Sequence, residues 1–406
     1  LPLANRRDKE TQIIWGIKDF EHRFQRKPEG MWLSETAADT ETLEVLAEND
    51  IKFTILAPRQ AKAIRKIGEE DWYELPPVSV EPRRPYLCKL PSGKEIVLFF
   101  YDGNVAQGVA FEGLLKDGKN FAQRFVNAFD DNDEPQLVHI ATDGESYGHH
   151  HYHGEMALAA CLNQLEEQEH VTVTNYAQYL SLFPPEYEAQ IHENSSWSCV
   201  HGVERWRSNC GCTTGDYPSG KQEWRAPLRN TLNWLRDKLI PLFEKEAKGL
   251  LKDPWQARNE YIEVLLSQRD EAVIQKFIET HATRALDADE QTKLLRLLEL
   301  QRQAMLMFTS CGWFFDEVSR IETNQILQYA NRAIYYARQV VNVDFHEEFL
   351  SRLAEAPSNV PEFDNAADSY MAHVMPARVD LERVGMHYAA SSLFEEYPEK
   401  LSLFNY

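Results

Sequence analysis

The sequence predicts an α/β protein in which buried strands are covered by helices, followed by an aromatic loop and then a helical bundle. Three observations predict it. Residues 1–160 alternate helix-like and strand-like segments. The strand-like runs lack polar alternation, which suggests strands buried on both faces and hence a parallel sheet. From Leu228 onward apolar positions recur at helical spacing almost without interruption.

Taken in order, residues 11–23 read as a helix with Ile13, Ile14, Ile17 and Phe20 on one face. Arg26-Lys27-Pro28-Glu29-Gly30 reads as a turn, and Met31-Trp32-Leu33 as a short buried strand. Asp39 or Thr40 can cap a helix over residues 41–49. Phe53-Thr54-Ile55-Leu56-Ala57 is a strand stopped by Pro58. Residues 96–101 form a second strand stopped by Asp102-Gly103, and Leu137-Val138-His139-Ile140-Ala141 a third. Sites in such sheets gather at the carboxyl ends of strands, where Glu35, Pro58, Asp102 and Asp143 fall. The stretch from Pro184 to Pro227 shows no sustained period and is dense in Ser, Gly, Cys and Trp, as an ordered functional loop would be. Helices are expected over 228–247, 254–267, 270–282, 287–308, 322–341 and 344–354. The expected domains are 1–190 (α/β), 191–227 (a lid loop) and 228–406 (a helical bundle completing the cleft).

The 406 residues are 43% hydrophobic and 26% charged, as in an ordinary soluble globular protein. A formal net charge of −21 argues against a nucleic-acid partner, because phosphate binding needs a basic face. No apolar run approaches the roughly 20 residues a membrane span needs. The chain begins at Leu1 with no signal-like segment and its six cysteines show no secreted pattern. A piece of a longer, cytoplasmic protein is expected.

Two short strings carry the chemistry: Gly30-Met31-Trp32-Leu33-Ser34-Glu35-Thr36, and Val138-His139-Ile140-Ala141-Thr142-Asp143-Gly144-Glu145-Ser146-Tyr147-Gly148. Each places an acidic residue after an apolar run. Two carboxylates at strand ends are what hydrolysis of a sugar acetal needs: one stabilises or attacks the cationic carbon, the other protonates the leaving oxygen. The bland readings are a helix-start carboxylate for Glu35 and an Asp-Gly turn for Asp143.

On these residues the chain resembles glycoside hydrolase family 57, and more narrowly its bacterial branch with a C-terminal helical domain of unknown function. Trp32-Leu33-Ser34-Glu35 resembles the family's Trp-Leu-x-Glu motif, whose glutamate is the nucleophile. Asp143-Gly144-Glu145-x-x-Gly148 resembles the motif whose aspartate is the acid/base. Ser310-Cys311-Gly312-Trp313-Phe314-Phe315-Asp316-Glu317 sits where the family has a helix-borne aromatic and acidic motif lining the site. The resemblance implies an incomplete (β/α)7-type barrel with a helical bundle, and a retaining hydrolase or transglycosylase acting on α-linked glucans or oligosaccharides without a cofactor. The family's opening His-Gln-Pro-type motif has no counterpart here, so the front of the barrel is expected to be absent. Retention predicts the two carboxyls about 5–5.5 Å apart.

Other candidates surround this pair. Glu145 could tune Asp143, since residues i and i+2 share a face on a strand-like exit. Trp32 and Trp313 are candidate sugar platforms, with Asp316 and Glu317 offering polar contacts. Trp197, Arg205 and Trp206 read as substrate-facing residues of the lid. In His149-His150-His151-Tyr152-His153, His149 and His150 could bond sugar hydroxyls. A helix there would align His149 with His153 for a metal, the basis of an alternative metal-dependent carbohydrate hydrolase or deacetylase. A non-catalytic carbohydrate-binding protein is the third reading. Cys199, His201, Cys210 and Cys212 have zinc-ligand types at a spacing unlike standard zinc knuckles, a weak metal signal.

Overall fold

The computed structural model describes residues 1–217 and 220–399. The chain divides into two compact units, Leu1–Val203 with Ile262–Gln268, and Glu204–Tyr261 with Arg269–Tyr406.

The first unit is built on one six-stranded sheet. Its strands are β1 (Phe53–Leu56), β2 (Ala61–Lys66), β3 (Tyr73–Glu74), β4 (Pro85–Lys89), β5 (Glu95–Phe100) and β6 (Tyr187–Ile191), in the order β1-β5-β4-β6-β2-β3. β5 lies between β1, its parallel neighbour, and β4, its antiparallel one. The pleat sends Ile96, Leu98 and Phe100 into one apolar core and Val97 and Phe99 into another, which is why this run shows no polar alternation. The first core takes Ile13 from α1 (Arg6–Phe24) and Leu43, Val45 and Leu46 from α2 (Thr40–Glu48). The second takes Tyr176 and Tyr179 from a short helix over Tyr176–Leu182.

The sheet is mixed, not parallel as the run composition suggested. β4 and β5 are joined by a tight turn around Pro91–Lys94, in which the Leu90 amide donates to the Lys94 carbonyl at 3.0 Å. A connection this short allows only an antiparallel pair. β4∥β6 is parallel, whereas β2 pairs antiparallel with both β6 and β3. Two expected strands do not form. Residues 31–33 make only a bridge at Gly30↔Phe53. Residues 137–141 are extended but joined by single bonds: the Leu137 amide to Arg83 O at 2.9 Å, and the Asp102 amide to His139 O at 2.8 Å.

Two buried charged residues, each with two ion-pair partners, tie helices and strands. Lys9 of α1, 1% exposed, meets Asp39 at 2.8 Å and Glu41 at 2.6 Å at the start of α2, where Asp39 also caps the helix through the Thr42 amide. Glu188 of β6 is buried between Arg65 of β2 and Lys89 of β4, both at 2.6 Å. Burial pushes its pKa up, but bonds from Lys89 and Arg65 outweigh this and hold the carboxyl below its usual value.

The second unit is helical among the described residues. The helix Arg225–Ala247 buries Leu228, Leu232, Leu235, Leu239 and Phe243 along one stripe. It packs with the helices Ala288–Leu306 and Ile321–Val341, which bury Leu294, Leu297, Leu298, Ile326, Leu327, Ala330 and Ile334. The α/β-then-helical order thus matches the sequence expectation. The motif from Ser310 is a short 3-10 turn (Ser310–Trp313), not part of a long helix.

Phe100 is fully buried and its ring meets Tyr86 edge-on at 5.6 Å. Phe100→Ala is expected to cost about 3–5 kcal/mol. A lower denaturation midpoint at unchanged slope would show this.

Candidate active site

Glu35 sits in a sharp turn. Gly30 runs so close to β1 that a Cβ there would fall 2.1 Å from the Phe53 ring, so only glycine fits. The Met31 amide donates to Phe53 O at 3.1 Å, and Leu33 is buried. The chain then turns through Glu35 (φ 60°, ψ 18°) and Thr36 (φ 49°). Two successive left-handed residues with side chains, one of them β-branched, are costly backbone and persist only where surroundings impose them.

Those surroundings come from β1, its following turn and a distant loop. Buried Gln60 accepts from the Ala57 amide at 2.9 Å and the Thr36 hydroxyl at 2.8 Å. It donates to Thr36 O at 2.8 Å and Ser195 Oγ at 3.2 Å. Ala38 and Ser195 exchange backbone bonds at 3.0 and 3.1 Å, and the Trp197 amide donates to Glu35 O at 3.1 Å. Residues 195–197 therefore run beside 35–38 and hold the turn.

The same loop grips the carboxylate. Trp197 Nε1 and Ser198 Oγ both donate to Glu35 Oε2, at 2.9 and 2.6 Å. Both bonds end on one oxygen, which aims Oε1. The Trp197 ring meets Trp32 edge-on at 5.1 Å and Tyr101 at 6.3 Å. Trp32 is 43% exposed, so it offers an open aromatic face beside the carboxylate.

Tyr101 links this group to the second carboxylate. Burial pushes its phenol up to about 12; nearby Arg59 lowers it and nearby Asp143 raises it. Asp143 leads a 3-10 turn over Gly144–Ser146 and makes no side-chain cap bond to it. Its pKa is raised, first by partial withdrawal from water, then by the Glu145 charge, with His150 opposing. Behind it, His139 Nε2 donates to Pro82 O at 3.1 Å, so that Nδ1 of the neutral ring accepts from Tyr176 Oη at 2.9 Å. Burial lowers its pKa to about 4, so it is a neutral strut at ordinary pH.

The histidine run is not helical. The His149 and His150 amides both bond Glu145 O, His151 Nε2 contacts Ala110 O at 3.1 Å, and His153 takes φ 62° as the cap of the helix Gly154–Glu166. His149 and His153 therefore share no helical face. His149 and His150 are exposed beside Asp143 and Glu145. Among the described residues, the only His/Cys/Asp/Glu group that brings its donors together is Cys199, His201, Cys210 and Cys212.

Four residues expected to face substrate are instead buried and bonded within their own unit. Arg205 Nη1 donates to Phe314 O at 2.5 Å and lies over the Phe314 ring; Trp206 Nε1 donates to Ser310 O at 3.1 Å. Trp313 is fully buried, stacked on Phe308, with Nε1 donating to Arg225 O at 3.3 Å. Asp316 accepts from Thr213 Oγ1 and from the Thr214 and Gly215 amides; these bonds outweigh its burial and keep its pKa low. Glu317 is likewise committed, to Ser358 Oγ and the Asn359 amide. These residues bind their own unit together. Three working residues escaped the sequence reading. Tyr101 stood at the end of an expected strand and Ser198 beside a flagged tryptophan, whereas Gln60 gave no signal at all.

A profile of glycosyl hydrolase family 57 matches residues 1–192, which contain both carboxylates. The match covers that segment, a little under half of the chain. A second profile, a domain of unknown function (DUF3536), matches 221–406. The chain is similar in fold to an exo-type maltose-forming amylase from Pyrococcus sp. ST04, at 15% identity and TM-score 0.69, over 96% of this chain and 74% of that one. A branching enzyme of the same family from Thermococcus kodakaraensis aligns at 14% identity and TM-score 0.52, over 95% and 67%. The α-amylase AmyC of Thermotoga maritima aligns at 13% and 0.50, over 96% and 67%. No curated protein matches. The family match over the first 192 residues supports an enzyme of the glycoside hydrolase class. No helix among the described residues is long and apolar enough to cross a membrane.

Gln60→Ala leaves four buried or half-buried polar partners without their bonds. It is expected to cost about 3 kcal/mol, read as a lower midpoint in thermal unfolding. Asp143 is expected to titrate above an ordinary aspartate in carboxyl 13C NMR. Glu145→Gln removes a like charge and should move that titration to lower pH.

Proposed function

We propose that this chain is a family 57 enzyme, a retaining glycoside hydrolase or transglycosylase acting on α-linked glucans, with Glu35 as nucleophile and Asp143 as acid/base. The observation that carries the reading is the grip on Glu35: two donors fix Oε2 and leave Oε1 to attack. The raised pKa of Asp143 supports its role, because a general acid must hold its proton until the leaving oxygen takes it. The amylases and the branching enzyme of similar fold support the substrate class.

In the first step Glu35 Oε1 bonds to the anomeric carbon, the glycosidic C–O bond breaks and the Asp143 proton passes to the departing oxygen. In the second, the Asp143 carboxylate takes a proton from water or an acceptor hydroxyl. That oxygen attacks the anomeric carbon and the bond to Glu35 breaks. Trp32 offers its exposed face to a pyranose ring, and His149 and His150 offer ring nitrogens to hydroxyls. No step needs a cofactor. The metal-dependent alternative loses its basis, since the described histidines 149–153 do not gather into a ligand group.

The test is turnover of a soluble α-glucan with products followed by anomeric NMR. The α-anomer should form first. Glu35→Gln should abolish turnover, and Asp143→Asn should lower it by about 10²–10⁴-fold, less for a substrate whose leaving group needs no proton. A first-formed β-anomer, or undiminished turnover in Glu35→Gln, would overturn the reading.

A further inference from the structure

We propose that Cys199, His201, Cys210 and Cys212 bind one zinc ion that ties off the loop behind Trp197 and Ser198. The four come from one continuous segment, and one ligand atom from each lies within 4.8 Å of all the others. A tetrahedral zinc with Zn–S near 2.3 Å spaces its sulfurs about 3.8 Å apart. A closure of about 1 Å therefore brings these donors to bonding distance. Three thiols with one imidazole are a soft, closed set, the composition of structural zinc sites and a poor one for calcium or magnesium.

Local backbone and charge fit the same reading. Cys199 and His201 lie in a turn closed by the Gly202 amide on Cys199 O at 3.1 Å. Gly202 holds φ +84° where a Cβ would fall 2.3 Å from Asn194 O. Gly211, at φ +79°, sits between Cys210 and Cys212 and folds the chain back so that both sulfurs join the group. All six cysteines are thiols, and a disulfide bridging a single residue would be strained. Three thiolates and a dication sum to −1. The buried Arg225 guanidinium supplies the balancing charge: its Nη1 donates to Cys212 O at 2.9 Å and lies 3.9 Å from Cys210 Sγ. Such outer contacts orient metal ligands and keep thiolates deprotonated.

The site is distinct from the carboxylate pair, and zinc here does no chemistry on a sugar. Cys199 directly follows Ser198, so the metal would stiffen the segment that grips Glu35. Only this last consequence rests on the proposed function.

Metal analysis of the whole protein, produced in zinc-supplemented medium and washed with a weak chelator, tests the site without reference to activity. About one zinc per chain is expected. Cobalt exchange should give the intense near-ultraviolet band of thiolate-bound cobalt. Cys212→Ser and His201→Asn should each lower retained zinc at least about tenfold, whereas Cys311→Ser, outside the group, should keep it. Alkylation of the three thiols should be slow until zinc is stripped. Zinc below a tenth of an equivalent with no cobalt–thiolate band would overturn the proposal. So would undiminished zinc in both ligand variants, or a disulfide among the three cysteines found by mass spectrometry. Retained zinc without turnover of any glucan would leave the site standing while removing the proposed function.

Discussion

The first unit depends on one local constraint: Glu35 and Thr36 must both hold left-handed backbone while presenting a carboxylate. Neither residue favours that conformation, so the cost is met from outside the turn. Gln60 ties Thr36 to the end of β1, and residues 195–198 bond the backbone and side chain of Glu35. Strain of this kind has a use. A turn that cannot relax puts the carboxylate oxygen in one place, and fixed geometry is what a reacting group needs.

The two carboxylates are treated in opposite ways. Glu35 receives hydrogen-bond donors on one oxygen, whereas Asp143 caps nothing and faces a like charge from Glu145. For Asp143, desolvation and the like charge both favour the neutral form. The environment thus orients one carboxyl through donors and keeps the other free of them.

The β5 run and the helices of the second unit were legible because each buries a continuous or 3.6-period apolar set. β2 and β6 were not, because Lys62, Arg65 and Glu188 broke the apolar signal; in the fold, Arg65 and Glu188 pair across strands. The motif carboxylates were legible, but their holders were not. Ser198 reaches Glu35 across 163 residues and Gln60 reaches Thr36 across 24, separations that no local pattern encodes. Arg205, Trp206, Trp313 and Asp316 misled for the converse reason. Residue types that bind sugars also bind backbone carbonyls and amides in a core, and their own unit uses them so. Cys199, His201, Cys210 and Cys212 showed only ligand chemistry in one dimension; their convergence is a property of the folded loop.

His139 sets a limit on the acid side. Folded, its imidazole stays neutral down to about pH 4, against an ordinary value of 6.5 in the unfolded chain. The unfolded form therefore takes up the proton first, and stability drains as pH falls through that interval. The residue bonds Tyr176 and Pro82 and stands four positions before Asp143. Acid would thus release the segment that carries Asp143 while the sheet beside it is still intact, so damage on acidification would begin as a local opening rather than as global collapse.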